Sequence, residues 1–224
     1  MEIDLRRNSI DDIGASAIAE ALEGNPVLTT GPISRGQSPI AEEDIIGILS
    51  AMKNPFIDAN MQEEALKKLQ KLALNENNQL KIAEAKGIAT VLSAMKNHSS
   101  DANVQKYGCA ALWNLAYNDN NKVTIAAAGG ITTILSAMNE HSSIAADVQE
   151  HGCRALGNLA VNDNNKVSIV AAGGITKILS VMSNHSENVF VQKYGSGALG
   201  NLAVNVFFSV AITAAGGITT KIIL

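Results

Sequence analysis

The chain repeats itself, and the period of that repeat constrains its fold more than any other feature. Asn114 recurs as Asn158 and Asn201, at offsets of 44 and 43 residues, and Gly130 recurs as Gly174 and Gly217 at the same offsets. A more divergent copy, residues 61–88, lies 43 residues upstream, with Ile82 matching Ile125 and Gly87 matching Gly130. A period of this length belongs to stacked two- or three-helix units. Such units bury a core only against their neighbours, so the chain is expected to form an elongated, curved solenoid.

Punctuation within the repeat divides it into helices. Asn103 or Asp147 is read as the N-cap of a long helix, with Val104, Gly108, Ala111, Leu112 and Leu115 at helical spacing and an Asn-rich loop, 118–121, as its end. A short helix over 122–128 is expected to stop at Gly129 and Gly130, where a residue without a β-carbon can adopt the left-handed conformation. The next helix, 131 to about 139, carries Ile131, Ile134, Leu135 and Met138 on one face. Short helix, glycine turn and two longer helices make a three-helix unit.

The strings ALWNLAYND, ALGNLAVND and ALGNLAVN, each followed by an AGGI turn, resemble armadillo repeats of the kind found in β-catenin, importin alpha and the vacuolar armadillo adaptors. The likeness covers roughly residues 40–224. It implies an all-α fold, a right-handed α-solenoid (superhelix) of about four repeats of three helices each. It also implies that the third helices line a concave groove in which repeated Asn side chains hold the backbone of an extended peptide. Asn114, Asn158 and Asn201 match that position; the first copy has Lys71 there, and Ala110, Arg154 and Gly197 stand where importin alpha has an indole, which argues against nuclear import. The implied function is that of a protein-binding scaffold or adaptor without cofactor. The alternative is a structural arm of a larger assembly, with nuclear-import adaptor a variant.

Composition agrees. With 46% apolar residues the chain can bury a continuous core, and a formal net charge of −4 gives no basic footprint for nucleic acid and a weak bias toward cationic partners. No apolar signal-peptide core stands near the N-terminus, which points to an intracellular, cytoplasmic protein, with the nucleus or the surface of an intracellular membrane as variants. The apolar run 204–224 is long enough to suggest a membrane span, but Ile212, Gly216, Gly217 and Ile218 match Ile169, Gly173, Gly174 and Ile175 of another unit, so no transmembrane segment is expected.

Upstream, residues 3–30 resemble one unit of the ribonuclease-inhibitor type of leucine-rich repeat, with an Asn turn at Asn8 and a helix from Asp12 to Leu22 closed by Gly24. A lone unit of that kind cannot bury its own face. Residues 1–28 are therefore read as a cap on the first armadillo unit, or as the remnant of a lost upstream array. Residues 29–39, rich in Gly, Pro, Ser and Thr, form the linker. Ser38 and Pro39 then start a helix through Ile45, Ile46, Ile48, Leu49 and Met52 that matches the second helix of later units, so the armadillo domain spans 40–224.

Chemistry-bearing residues are sparse. Cys109 and Cys153 share a repeat position where helices about 8–10 Å apart keep their α-carbons beyond disulfide reach, so they read as small core residues. His98, His141 and His185, one repeat apart, are too widely spaced to share a zinc ion, and are expected to satisfy helix-end carbonyls or face solvent. The Asp119, Asn120, Asn121 and Asp163, Asn164, Asn165 runs lack the Gly and distal Glu of a calcium loop and read as turn and cap residues. No nucleophile, base and orienter assemble, and no AGGI turn has phosphate-loop context, so neither catalysis nor a metal or cofactor site is expected.

The groove remains. Its expected peptide ligands are Asn114, Asn158 and Asn201, with Asn118 and Asn162 on the same faces, Arg154 on the second rung, and Tyr107, Trp113 and Tyr194 as pocket walls beside Tyr117. An Asn amide offers both donor and acceptor to a peptide backbone, although the same residues could instead bond loop carbonyls of the neighbouring unit. Three rungs at about 1 kcal/mol each fall short of the about 8 kcal/mol of micromolar affinity, so side-chain pockets must supply the rest. Trp113 is open to two readings, pocket wall or packing against the next repeat; Gly157 and Gly200, at its position, are expected to leave recesses. In the last copy Phe207 and Phe208 replace the polar loop, an apolar patch read as a site of self-association or as a junction to further repeats.

Overall fold

The computed structural model describes residues 42–54, 56–142 and 145–204. The leucine-rich-like segment, the linker, and Phe207 with Phe208 lie outside these residues. All regular structure among the described residues is helical: α1 Glu42–Met52, α2 Ala59–Leu72, α3 Glu76–Glu84, α4 Gly87–Asn97, α5 Ala102–Leu115, α6 Asp119–Ala127, α7 Gly130–Glu140, α8 Ala146–Leu159, α9 Asp163–Ala171, α10 Gly174–Asn184 and α11 Val189–Ala203. Three complete units (α3–α5, α6–α8, α9–α11) follow the leading pair α1 and α2. The third helices α2, α5, α8 and α11 stack side by side and make the most extensive contacts in the molecule.

The expected helix boundaries need correction. Asn103 and Asp147 lie inside the first turn, not at the N-cap. Asp101 caps α5, accepting from the Val104 N–H at 2.9 Å, while Ala145 precedes α8 with no side-chain cap. Asp147 instead places its charge against the positive end of α8. The short helices begin three residues earlier than expected, because Asn118 and Asn162 are N-caps; their side-chain oxygens accept from the N–H of Asn121 and Asn165, as Asn75 does from Asn78.

The last Asn of each loop turns inward. Buried Asn121 donates to the carbonyls of Leu115 and, one unit back, Gln79, and Asn165 donates to that of Lys122. The loops therefore satisfy helix-end carbonyls that would otherwise be buried unpaired.

The glycine turn is used as expected. Gly129 and Gly173 have φ of 83° and 79°. Their neighbours Gly130 and Gly174 face a different constraint, since a β-carbon there would lie 2.4 Å from the Cγ2 of Ile125 or Ile169. In the divergent copy Lys86 takes the left-handed position, with φ 63°. The core runs without a break along the stack, through Ile45, Leu49, Leu66, Leu69, Ile82, Leu112, Leu115, Ile125, Ile134, Met138, Leu156 and Leu159, all buried. Ile46, read with the apolar run of α1, is instead 49% exposed.

A buried Gln, unmarked in the sequence reading, ties the second helix of each unit to the third. Gln105 donates to the carbonyls of Met95 and His98 at 2.8 Å each, Gln149 to those of Met138 and His141, and Gln192 to those of Met182 and His185. The end carbonyls of α4, α7 and α10 are thus taken by Gln. The histidine rings reach further: Nε2 of His141 lies 2.8 Å from the Ser99 carbonyl and that of His185 3.0 Å from Ser142, each one unit back.

Candidate functional site

The asparagine ladder is a contact between repeats. At the end of each third helix the last turn tightens, so the Tyr117 N–H bonds the carbonyl of Asn114 and leaves that of Trp113 without its helical partner; the same shift leaves Gln70 and Gly157. The next unit's Asn supplies the missing donor. Asn114 Nδ2 donates to the Gln70 carbonyl at 2.8 Å, Asn158 to that of Trp113 at 3.2 Å, and Asn201 to that of Gly157 at 2.9 Å. Asn114 is 0% exposed and its Oδ1 is buried without a partner, whereas Asn201 is half-buried. The acceptors are helix carbonyls of the neighbouring unit, not loop carbonyls.

The expected aromatic and Arg ligands fall into two clusters of rings and charges. Lys67 on α2 pairs with Glu63 at 2.6 Å and Glu64 at 2.7 Å and stands 5.1 Å over the Tyr107 ring of α5. Asn103 donates to the other Glu63 oxygen at 3.1 Å. Lys106 lies 5.2 Å from the same ring and pairs with Asp147 on α8. Further along, the Arg154 guanidinium stacks 3.7 Å from the Tyr194 ring on α11 and 4.5 Å from Trp113 on α5, while bonding Glu150 at 2.7 Å. Trp113 also meets Tyr117 at 6.0 Å and His151 at 6.4 Å, so it is at once a wall of this cluster and packed against the next unit. Cation–ring contacts of this kind contribute about 0.5–2 kcal/mol each.

Two expectations about this face change. Asn118 and Asn162 serve as caps, as described above. The recess expected at Gly157 is closed, because a β-carbon there would meet Ala198 of α11 at 3.5–3.6 Å; at Gly200 nothing lies within 4 Å.

Electrostatics within these clusters follow from burial and pairing. Burial first, then the nearby Arg154 and Lys106, push the His151 imidazole down to about 4, so it is neutral at physiological pH. Burial raises the Glu150 carboxyl against the pull of Arg154. The hydrogen bond from Lys67 holds Glu64 below the usual carboxylate range, and that to Asp147 raises Lys106. Cys109 and Cys153 are free thiols, fully buried and pushed up to about 12 by that burial, which makes them inert toward oxidants and metals. Among the described residues no helix is long and apolar enough to cross a membrane alone, and no three His, Cys, Asp or Glu side chains are grouped to hold a metal ion.

Comparison with known proteins agrees with this fold. Residues 43–193 match the family model described as the GAC ARM domain. Among solved structures, the chain is similar to an engineered protein whose crystal structure was a Northeast Structural Genomics Consortium target, with 28% identity and a TM-score of 0.69 over 78% of this chain and 68% of that one. It is also similar in fold to a designed armadillo repeat protein, with 20% identity and a TM-score of 0.68 over 77% and 71% of the two chains. No curated protein sequence gives a significant match.

Proposed function

The chain belongs to the GAC ARM domain family, and from that premise we propose that it is a protein-interaction scaffold that holds an extended segment of a partner along its third helices. The observation that carries this reading is the pair of clusters formed around Tyr107, Trp113, Arg154 and Tyr194. Half-buried Trp113, Arg154 and Tyr194, from three successive units, lie in ring and cation contact, with Tyr107 standing between Lys67 and Lys106, and aromatic and Arg side chains are the ones that anchor binding hot spots. The ladder is assigned a supporting part: Asn114 and Asn158 hold the helices in register, while half-buried Asn201 remains a candidate for direct contact with the segment. Phe207 and Phe208 stand as a candidate second surface for self-association.

The test is a peptide-display selection against the whole chain, repeated with a Tyr107→Ser, Tyr194→Ser variant whose circular dichroism melt stays within a few degrees of the parent. Selected peptides should lose at least about tenfold in affinity for the variant, equivalent to about 1.4 kcal/mol. Peptides that bind both proteins equally would place the interaction elsewhere on the solenoid.

A further inference from the structure

The first two helices carry a face that every later unit buries and that here stands open. Met61 on α2 is 58% exposed, whereas Val104, Val148 and Val191, at its position in α5, α8 and α11, are each 0%. Ile48 on α1 is only half-buried, whereas Val91, Ile134 and Ile178, at its position in α4, α7 and α10, are each 0%. Ala51 and Lys68 are likewise exposed where the later units bury an Ala or a Val.

The preceding unit provides the cover elsewhere. Third helices stack on third helices, and Ala198, which holds the Lys68 position in α11, packs against Gly157 of α8. Among the described residues no third helix precedes α2. What remains is an open groove of about 390 Å³ between α1 and α2, lined mainly by Ile48, Ala51, Ile57, Met61, Ala65 and Lys68.

The chain itself carries a segment suited to that groove. Residues 12–22 have a helical period, with Ile13, Ala17, Ile18, Ala21 and Leu22 on one face. At each later junction fourteen residues, 73–86, 116–129 and 160–173, separate the end of a third helix from the start of the next second helix. Between Leu22 and α1 there are nineteen, 23–41, so the segment can reach the place of a preceding third helix. Charge agrees at the level of single groups. Of the two charges on the groove wall, Glu64 is paired with Lys67 at 2.7 Å, while Lys68 has no ion-pair partner among the described residues. Residues 8–34 carry Asp11, Asp12, Glu20 and Glu23 and no Lys or Arg.

We propose that residues 12–22 dock as a helix in the groove between α1 and α2, taking the place of a preceding third helix, so that the solenoid covers its own first unit. The apolar face of the segment then meets Ile48, Met61 and Ala65, and its carboxylates lie toward Lys68. A solenoid end needs such a cover, because a repeat buries its core only against a neighbour.

The test is disulfide trapping in the whole chain. Met61→Cys is combined in turn with Ile13→Cys, Ile18→Cys or Leu22→Cys on the apolar face, and with Ser16→Cys or Ala19→Cys on the opposite one. Native Cys109 and Cys153 are buried and do not compete. Under mild oxidation the fastest apolar-face pair should bridge within one chain at least about tenfold faster than either opposite-face pair, since a disulfide needs α-carbons within about 7 Å. Equal rates from the two faces mean a tethered but undocked segment and overturn the proposal. Bridges between two chains overturn it as well, and identify a second copy as the occupant.

Hydrogen exchange supplies a second readout, free of cysteines. Ile18→Asp should speed amide exchange in α1 and α2 by at least about fivefold and leave α8 and α11 unchanged, because cover is lost only at that end. Ala19→Asp should change neither. Exchange in α1 and α2 that ignores Ile18→Asp, or responds equally to both variants, overturns the docking.

Discussion

Asn114 offers the sharpest test of how this solenoid holds together, because one side chain carries two opposed expectations. As a peptide ligand it would be dispensable for folding. As placed, its Nδ2 donates at 2.8 Å to the Gln70 carbonyl of the preceding unit, fully buried. Asn114→Ala removes a hydrogen bond of about 0.5–1.5 kcal/mol and strands a buried carbonyl at about 1–3 kcal/mol. Loss of the unpartnered Oδ1 offsets part of that, leaving a net destabilisation of about 2 kcal/mol. Asn114→Asp is worse, since an acceptor then faces an acceptor and a buried charge lacks a partner; about 4 kcal/mol is the scale for breaking such a pair from one side. At about 2–4 °C per kcal/mol for a domain of this size, the Ala variant should melt about 4–8 °C lower and the Asp variant about twice that.

Urea unfolding followed in parallel by far-ultraviolet circular dichroism and by Trp113 fluorescence would measure both variants. An Ala variant within about 0.5 kcal/mol of the parent, or Ala and Asp variants of equal stability, would refute the argument that the ladder is a bond between repeats. A practical consequence is that alanine substitution of the ladder confounds binding with folding, so binding is better probed at Tyr107, Arg154 and Tyr194.

Three further expectations follow from particular contacts. Lys86→Gly should stabilise by about 0.5–1 kcal/mol, read as a higher urea midpoint, because Lys86 holds a φ of 63° that glycine adopts without strain. Gln149→Ala should cost about 2–4 kcal/mol, since it strands the Met138 and His141 carbonyls together. The folded-state pKa of His151 is depressed from 6.5 to about 4, so the unfolded chain takes up the proton first and stability falls as pH drops through that window, by up to about 3 kcal/mol. Glu150, raised in the fold, contributes with the opposite sign. Urea titrations at stepped pH should show a shallower acid loss in His151→Gln than in the parent.

What the sequence determined by itself was the unit and its punctuation. The 43- or 44-residue period, the paired glycines at 129–130 and 173–174, and the apolar faces of the second and third helices are local or strictly periodic signals. A left-handed turn, a helix stop and a buried stripe each depend on residues a few positions apart. The same recurrence put Tyr107, Arg154 and Tyr194 on one face, and the structure brings Arg154 into contact with Tyr194 and Trp113, while Tyr107 meets Lys67 and Lys106.

Only the tertiary structure decided what the polar residues do. Asn114, Asn118, Asn158 and Asn162 carry the same amide and look alike in a repeat alignment. Yet the first and third bond carbonyls across a unit boundary, and the other two cap short helices. Gln149 gave no signal because its partners are backbone carbonyls, which every residue possesses and no sequence pattern marks. The carbonyls that receive Asn114 and Asn158 lie 44 and 45 residues upstream, and they became acceptors only because the last turn of the preceding helix tightens. Periodicity specifies which residues recur; the stacking of one unit on the next selects which backbone groups they must satisfy.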